Sequence, residues 1–599
     1  MGLVVTHIFH SPHSLALLMS TSAHTPHRVR FFVLWGVVVC VACVLIARLY
    51  VLQVVHGAEY RAIATEQYAH HTAHIFDRGS IFFTRKDGSR VAAASIQRGY
   101  VLTVDPRRIE TLTEASSMYD ALSPYMALSR ETFMQRATKK DDPYEELAQH
   151  LTADEAEAVQ ALRLPGVQVF PQHWRSYTAG SLGAHVLGFM GYSADGNEKT
   201  ARYGIERYWD AVLMRSRERA GLFGFAETFS DGKTDEDNRA TTHNRTGDVV
   251  TTIEPTVQAE LEQTLAGMRE AWGSVRAGGV VVDPYTGAIY ALALHPTYNP
   301  NTYAATEDVH VFRNGIVEDV HEMGSIMKPL AMAIALEDGA VRATTEYEDS
   351  GSIEIDGYTI RNYDGEARGV VDMQDVLNQS LNVGMAFVTE QTGGERMAAR
   401  LLELGIGEET GIDLPFEARG LTDNFANKRD VEYVTASFGQ GIALTPIATV
   451  RALASLGNGG LLVTPHLVRE VRYEHGGTGN VAPDDTVRVF QEETTEEITR
   501  MLVEVVDSSL RGGTVAHGRY SIAAKTGTAQ IARTDERGYY DDKFLHSFFG
   551  YFPAYEPRFL VFLYHIEPQH ARYASETLTE PFMHMADFLI HYYEIPPDR

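Results

Sequence analysis

A serine and a lysine stand three residues apart, Ser325 and Lys328, inside "HEMGSIMKPLAMAIALEDG". At a helix start such a pair shares one side, so the lysine amine can reach the serine hydroxyl. A serine is a poor nucleophile until a base takes its proton. A lysine serves as that base only when burial or a neighbouring cation disfavours its charge. The apolar run from Leu330 to Leu336 predicts the burial. Pro329 fits a first turn, where no intrahelical N–H is missed, and a helix N-terminus offers N–H groups to an oxyanion. The chemistry this describes is acyl transfer through serine. Spacing alone does not carry it, because S-x-x-K arises by chance roughly once or twice in a chain of this length.

Two further elements change the weight. Ser380-Leu381-Asn382 follows a predicted helix, and Lys525-Thr526-Gly527-Thr528 lies on a predicted strand. In this order the three form the set S-x-x-K, S-x-N, K-T-G of penicillin-recognising serine enzymes. Ser380 and Asn382 can relay protons and hold a substrate amide, while Lys525 and Thr526 can grip a carboxylate. Gly527 lets a backbone approach closely. The Lys525 cation also presses Lys328 toward its neutral form.

Positioning these groups takes a sheet and helices. "AGGVVVDPYTGAIYALALH" predicts a β-hairpin, with Pro284 and Gly287 supplying the turn. A helix is expected from near Asp372, with Asp375 three residues on, to about Gln379. "YSIAAKTGTAQIA", "HSFFGYFPA" and "RFLVFLYHIEP" predict three strands, the last two antiparallel neighbours. The C-terminal part therefore reads as α+β, an antiparallel sheet packed with helices. Upstream, "HHTAHIFDRGSIFFTRKDGSRVAAAS" predicts short strands around a turn at Asp87-Gly88. The text from about Glu110 to Leu164 reads helical and charged, and "PGVQVFPQHWRSYTAGSLGAHVLGFMGY" returns to strands. A polar interval from Asp231 to Asp248 marks a domain boundary. His70, His71 and His74 match no standard metal spacing and read as a solvated helix face, so no metal or cofactor is expected.

The chain has 599 residues, 44% of them hydrophobic, enough for at least two domains. A net charge of -27 leaves no cationic excess to displace counterions from nucleic acid, which is excluded as a partner. Phe31 to Ala47 carries no charge, is flanked by Arg28, Arg30 and Arg48, and continues apolar through Leu49 to Val55. That length spans a bilayer core, and no small-x-small cleavage site follows promptly. No Asp or Glu precedes it, so the N-terminus is expected in the cytoplasm and the bulk outside. Both cysteines, Cys40 and Cys43, lie inside the anchor as apolar filler, so the exported part has no disulfide.

The chain resembles a class B penicillin-binding protein, a monofunctional peptidoglycan D,D-transpeptidase. The likeness is carried by the three motifs together with "DRGSIF", "YVLTVDP", "HVLGFMGY", "YGIERYWD", "TIEPTVQ", "VVVDPYTGAIYALA", "HPTYNPN", "SFGQGIALTP" and "KTGTAQ". It implies a cytoplasmic tail over 1–30, a transmembrane helix over 31–52, an elongated mixed pedestal of dimerisation type over 53–240 and a transpeptidase domain over 245–599. It also implies a bacterial inner-membrane protein with a single span and a periplasmic catalytic domain. Ser325 becomes the acylated nucleophile, Lys328 its base, Ser380 and Asn382 the second element and Lys525 the third. Lys525, Thr526 and Thr528 would hold the donor's terminal carboxylate, and the N–H groups of Ser325 and Thr528 would form the oxyanion hole. The reaction implied is attack on D-Ala-D-Ala, loss of D-Ala and capture of the acyl-enzyme by an amine on a neighbouring stem peptide, with β-lactams mimicking the dipeptide. Met323 stands where the family usually has Pro, Glu254 where Asp is usual, and Ala524 where Gly often precedes K-T-G, which would narrow backbone approach. The rival readings are a carboxypeptidase or β-lactamase-like hydrolase, a non-catalytic β-lactam sensor or scaffold, and a bifunctional enzyme. No glycosyltransferase text is visible, so a separate glycosyltransferase and divisome or elongasome proteins are expected partners. The division role is preferred over elongation on the compact pre-catalytic domain and the short tail after "HIEP".

Overall fold

The structure is a computed structural model that describes residues 25–51, 77–192, 199–215, 246–483, 486–533, 535–536 and 538–599. His70, His71 and His74, the tail before Thr25 and nearly all of the polar interval from Asp231 lie outside the described residues. Helix α1, Thr25–Tyr50, is a body of its own. Its 26 residues rise about 39 Å, enough to cross a hydrocarbon core of ~30 Å. Cys40 and Cys43 are exposed and unpaired on it.

The second body begins at Phe76. Strands β1, Ile81–Thr84, and β2, Arg90–Val104, form the expected hairpin, with Gly88 at φ 80° and Ser89 N–H donating to Asp87 Oδ1 at 2.8 Å. The stretch read as helical holds helices α2, Leu112–Leu122, and α3, Arg130–Ala137, then strand β3, Glu145–Leu151, and helix α4, Ala153–Ala161. The strand corrects that reading. "EELAQHL" carries only two apolar core anchors, Leu147 and Leu151, and alternates too weakly to announce a strand. Pairing decides it: the first half of β2 pairs β1, its second half pairs β3, and strand β4, Val167–Tyr177, runs along its other side.

Beyond helix α5, Gly204–Tyr208, strand β5, Gly247–Thr251, pairs parallel to β1. Helix α6, Pro255–Trp272, follows, capped by Glu254, whose carboxylate accepts from Thr256 N and Val257 N. Strands β6, Arg276–Val282, and β7, Ile289–His295, form the predicted hairpin, with Gly287 at φ 76°. Helix α7, Lys328–Glu337, is buried from Lys328 through Ala335, as its apolar text predicts. Helix α8, Met373–Asn378, is capped by Asp372, which accepts from Asp375 N, and helix α9, Asn382–Thr392, follows. Strand β8, Val468–Tyr473, pairs with β5. The upstream and catalytic halves therefore share one sheet, which fixes one against the other.

Strands β9, Ala523–Ala532, β10, Tyr539–Phe552, and β11, Phe559–Ile566, complete the central sheet in the order β9-β10-β11-β6-β7, antiparallel throughout. Alternating side chains feed two cores. One holds α7 and Ala523, and the other holds α6, Ala524 and helix α10, Thr579–Tyr593. The mixed α+β architecture with helices on both faces of an antiparallel sheet is the expected one.

Candidate active site

The nucleophile candidate sits in a 3₁₀ turn, Gly324–Met327, and the α-helix begins only at Lys328. Gly324 takes φ 65° and donates its N–H to Gly439 O at 3.0 Å. A Cβ on Gly324 would stand 2.9 Å from the carbonyl of Thr528, so the turn lies directly on β9. From the sheet side the buried Ser547 hydroxyl donates to Met323 O at 2.9 Å. A Cβ on Gly527 would fall 2.3 Å from Ser547 Oγ and 2.6 Å from Met323 O. The backbone that Gly527 admits is thus the protein's own.

Lys328 is fully buried, and its amine donates to Ser380 O at 2.5 Å and Ser380 Oγ at 3.2 Å. Lys525, also buried, reaches the same Ser380 Oγ at 3.2 Å and Thr526 O at 3.1 Å. Ser380 holds a left-handed φ of 55°, a conformation that costs energy and persists only where surrounding contacts enforce it. The half-buried Ser325 hydroxyl makes no hydrogen bond to a described residue, so in this structure the Lys328 amine is held by Ser380. Asn382 opens α9 and donates to Arg361 O at 2.9 Å. Thr526 and Thr528 are half-buried on one face of β9, and Thr528 Oγ1 accepts from Ala574 N at 3.0 Å. Three separated motifs, on α7, α9 and β9, thereby meet.

Neither lysine has a carboxylate partner among the described residues. Burial, helped by the Lys525 cation, drives the Lys328 amine well below the ordinary lysine range. Burial pushes Lys525 down to about 8. At neutral pH the pair can hold a neutral amine beside a cation, the arrangement a general base requires.

Sequence reading missed the supports. Glu322 Oε1 accepts from Gly441 N at 3.1 Å and from Tyr539 OH at 3.0 Å, tying the nucleophile turn to the chain at Gly441 and to the first residue of β10. Burial pushes its carboxyl up to about 7. An acid beside an apolar stretch was its only signal. Ser547 carries none, because its partner is remote in sequence, and Gly439 is marked only by its place in "SFGQGIALTP". Ala524 does not narrow the cleft: its methyl points into the core on the α10 side, away from Lys525.

The penicillin binding protein transpeptidase domain model matches residues 277–586, more than half of the chain, and the penicillin-binding protein dimerisation domain model matches residues 77–214. Stage V sporulation protein D of Bacillus subtilis is 27% identical over 565 residues, 93% of this chain and 84% of that protein. Peptidoglycan D,D-transpeptidase FtsI of Escherichia coli is 29% identical over 441 residues, 73% of this chain and 70% of that protein. Among solved structures, apo penicillin binding protein 3 from Mycobacterium tuberculosis superposes with a TM-score of 0.61 at 25% identity, covering 72% of this chain and 92% of that one.

Proposed function

This chain belongs to the penicillin-binding protein transpeptidase family, in its class B form with a dimerisation domain, and we propose that it cross-links peptidoglycan stem peptides through a serine acyl-enzyme. The observation that carries the reading is the convergence of Lys328 and Lys525 on one hydroxyl, Ser380 Oγ, each at 3.2 Å, beneath the Ser325 turn. Neutral Lys328 takes the Ser325 proton as the hydroxyl attacks the carbonyl of D-Ala-D-Ala. The N–H groups of Ser325 and Thr528 stabilise the oxyanion. Ser380, bridging the two lysines, passes the proton to the departing D-Ala amine. The acceptor amine of a second stem then attacks the ester, and as the bond to Ser325 Oγ breaks, the proton lost by the amine passes through Lys328 to that oxygen. Lys525, Thr526 and Thr528 hold the donor carboxylate, Gly527 keeps that strand close to the nucleophile turn, and Asn382 holds the donor amide.

The same reading places α1 in the inner membrane, with the tail in the cytoplasm and residues 53–240 and 245–599 as pedestal and catalytic domain on the periplasmic side. A separate glycosyltransferase supplies glycan strands. Septal synthesis is proposed over elongation on the compact pre-catalytic domain, and localisation to the division site during septation is its test. For the chemistry the test is Ser325→Ala, which should abolish covalent labelling by a fluorescent penicillin in a protein that melts normally. Labelling that survives the substitution overturns the assignment.

A further inference from the structure

Behind β9, on the sheet face away from the nucleophile turn, four buried side chains form a hydrogen-bonded row: Ser274, His565, Thr577 and His546. Ser274 Oγ lies 2.7 Å from His565 Nδ1, and His565 Nε2 lies 2.9 Å from Thr577 Oγ1. Thr577 Oγ1 lies 2.9 Å from His546 Nδ1, and His546 Nε2 lies 3.1 Å from the carbonyl of Arg572. His546 and His565 face each other across β10 and β11, and His546 pairs with Thr528 across β9 and β10.

Donor and acceptor chemistry gives the row a single direction. A backbone carbonyl only accepts, so His546 Nε2 carries its proton. Burial holds both rings neutral, pushing His546 down to about 4 and His565 down to about 3. His546 Nδ1 is therefore bare and accepts from the Thr577 hydroxyl. With that proton committed, Thr577 oxygen accepts from His565 Nε2–H. His565 Nδ1 is then bare in turn and accepts from Ser274. The other acceptor open to Thr577, Ala574 O, is farther away at 3.4 Å.

The row ends on Arg572 O and passes through Thr577, the two ends of a segment within which Ala574 donates its N–H to Thr528 Oγ1. That donation occupies a lone pair of the Thr528 hydroxyl and leaves its proton to be donated elsewhere. We infer that Ser274, His565, Thr577 and His546 are positioning residues that hold the Arg572–Thr577 segment against β9 and so orient the Thr528 hydroxyl as a donor to the substrate carboxylate. The inference rests on the proposed role of Thr528 in carboxylate binding. It assigns to the rear of the sheet a part in recognising the donor's C-terminus.

The test compares acylation of the full-length protein in detergent by a penicillin with a free carboxylate and by its methyl ester. Thr577→Val, close in shape but unable to bond, should lower the carboxylate-to-ester rate ratio about tenfold, as expected for one misdirected buried hydrogen bond. Thr577→Ser, which keeps the hydroxyl, should restore it. Thr528→Val should lower the same ratio. If Thr528→Val lowers the ratio and Thr577→Val does not, the inference is overturned and the role of Thr528 stands. If Thr528→Val leaves the ratio unchanged, the carboxylate role falls and the inference with it. Should Thr577→Val fail to fold, Ser274→Ala replaces it. That variant frees the His565 tautomer and should lower the ratio roughly twofold to fivefold, and an unchanged ratio overturns the inference.

Discussion

Among the described residues, two places bury cations, and they treat them in opposite ways. In the pedestal, Arg78 Nε donates to Glu206 Oε2 and Arg78 Nη1 to Asp210 Oδ1, both at 2.6 Å, and Arg175 Nε donates to Glu206 Oε1 at 2.6 Å. Burial alone would raise the Glu206 carboxyl, but Arg175 and Arg78 outweigh it and hold the group below its usual range. Burial likewise works against the Arg78 charge, and Glu206 and Asp210 outweigh that too. In the catalytic domain, the hydrogen-bond partners of the Lys328 and Lys525 amines among the described residues are hydroxyl and carbonyl oxygens alone. A buried cation with carboxylates is a fixed joint between the chain just ahead of β1, β4 and α5. A buried amine without them is driven toward its neutral form, as the proposed base must be.

Breaking the pedestal joint should have the largest effect. Glu206→Gln leaves Arg175 with no carboxylate and Arg78 with Asp210 alone, and should cost about 3–5 kcal/mol of stability in denaturant unfolding. Penicillin acylation of the protein that remains folded should not change. Removing the proposed catalytic amine should do the reverse. Lys328→Met should slow acylation by ~100-fold or more, the lower end for loss of a general base, with a melting temperature equal to or above wild type. The sign follows from linkage: an amine neutral when folded and protonated when unfolded opposes folding at neutral pH, so deleting it removes a cost.

A smaller effect extends the contrast to the histidines. His565 has a folded value of about 3, so between there and its unfolded value near 6.5 only the unfolded chain binds the proton. Its stabilisation is fully present above about 6.5 and is lost as pH falls. The stability difference between wild type and His565→Gln should therefore widen in favour of wild type as pH rises from 4 to 6.5. Glu322 and Asp413, pushed up to about 7 and about 6 by burial, oppose that trend equally in both proteins and cancel in the difference. A difference that stays flat with pH would mean that His565 is not held neutral.

Much of this contrast was legible in the sequence, and the reasons differ between sites. Ser325, Lys328, Ser380 and Lys525 stand out because the proposed acyl transfer needs those groups in local motifs, and the text after Lys328 is apolar enough to promise burial. Pro284 and Gly287 fix their hairpin through backbone preference alone. What the sequence hid depends on long-range pairing. Ser380 lies 52 residues from Lys328 and 145 from Lys525, and nothing local told that Lys328 would rest on Ser380 rather than on Ser325. The β3 strand, the Ser547 contact through the gap at Gly527 and the His546–His565 row likewise exist only once the sheets are assembled.

The central claim is that burial without a counter-charge, aided by Lys525, makes Lys328 a neutral base. The most direct test is the acylation rate against pH for wild type and Lys525→Gln, with a penicillin ester as probe so that carboxylate binding is not part of the reading. Wild type should show an acidic limb far below the ordinary lysine value of about 10.4. Lys525→Gln should move that limb to higher pH, because one cation no longer disfavours the Lys328 charge, while leaving it below the ordinary value, because burial is the larger cause. A wild-type limb near the ordinary lysine value, or a limb unmoved in a folded Lys525→Gln protein, would contradict the account.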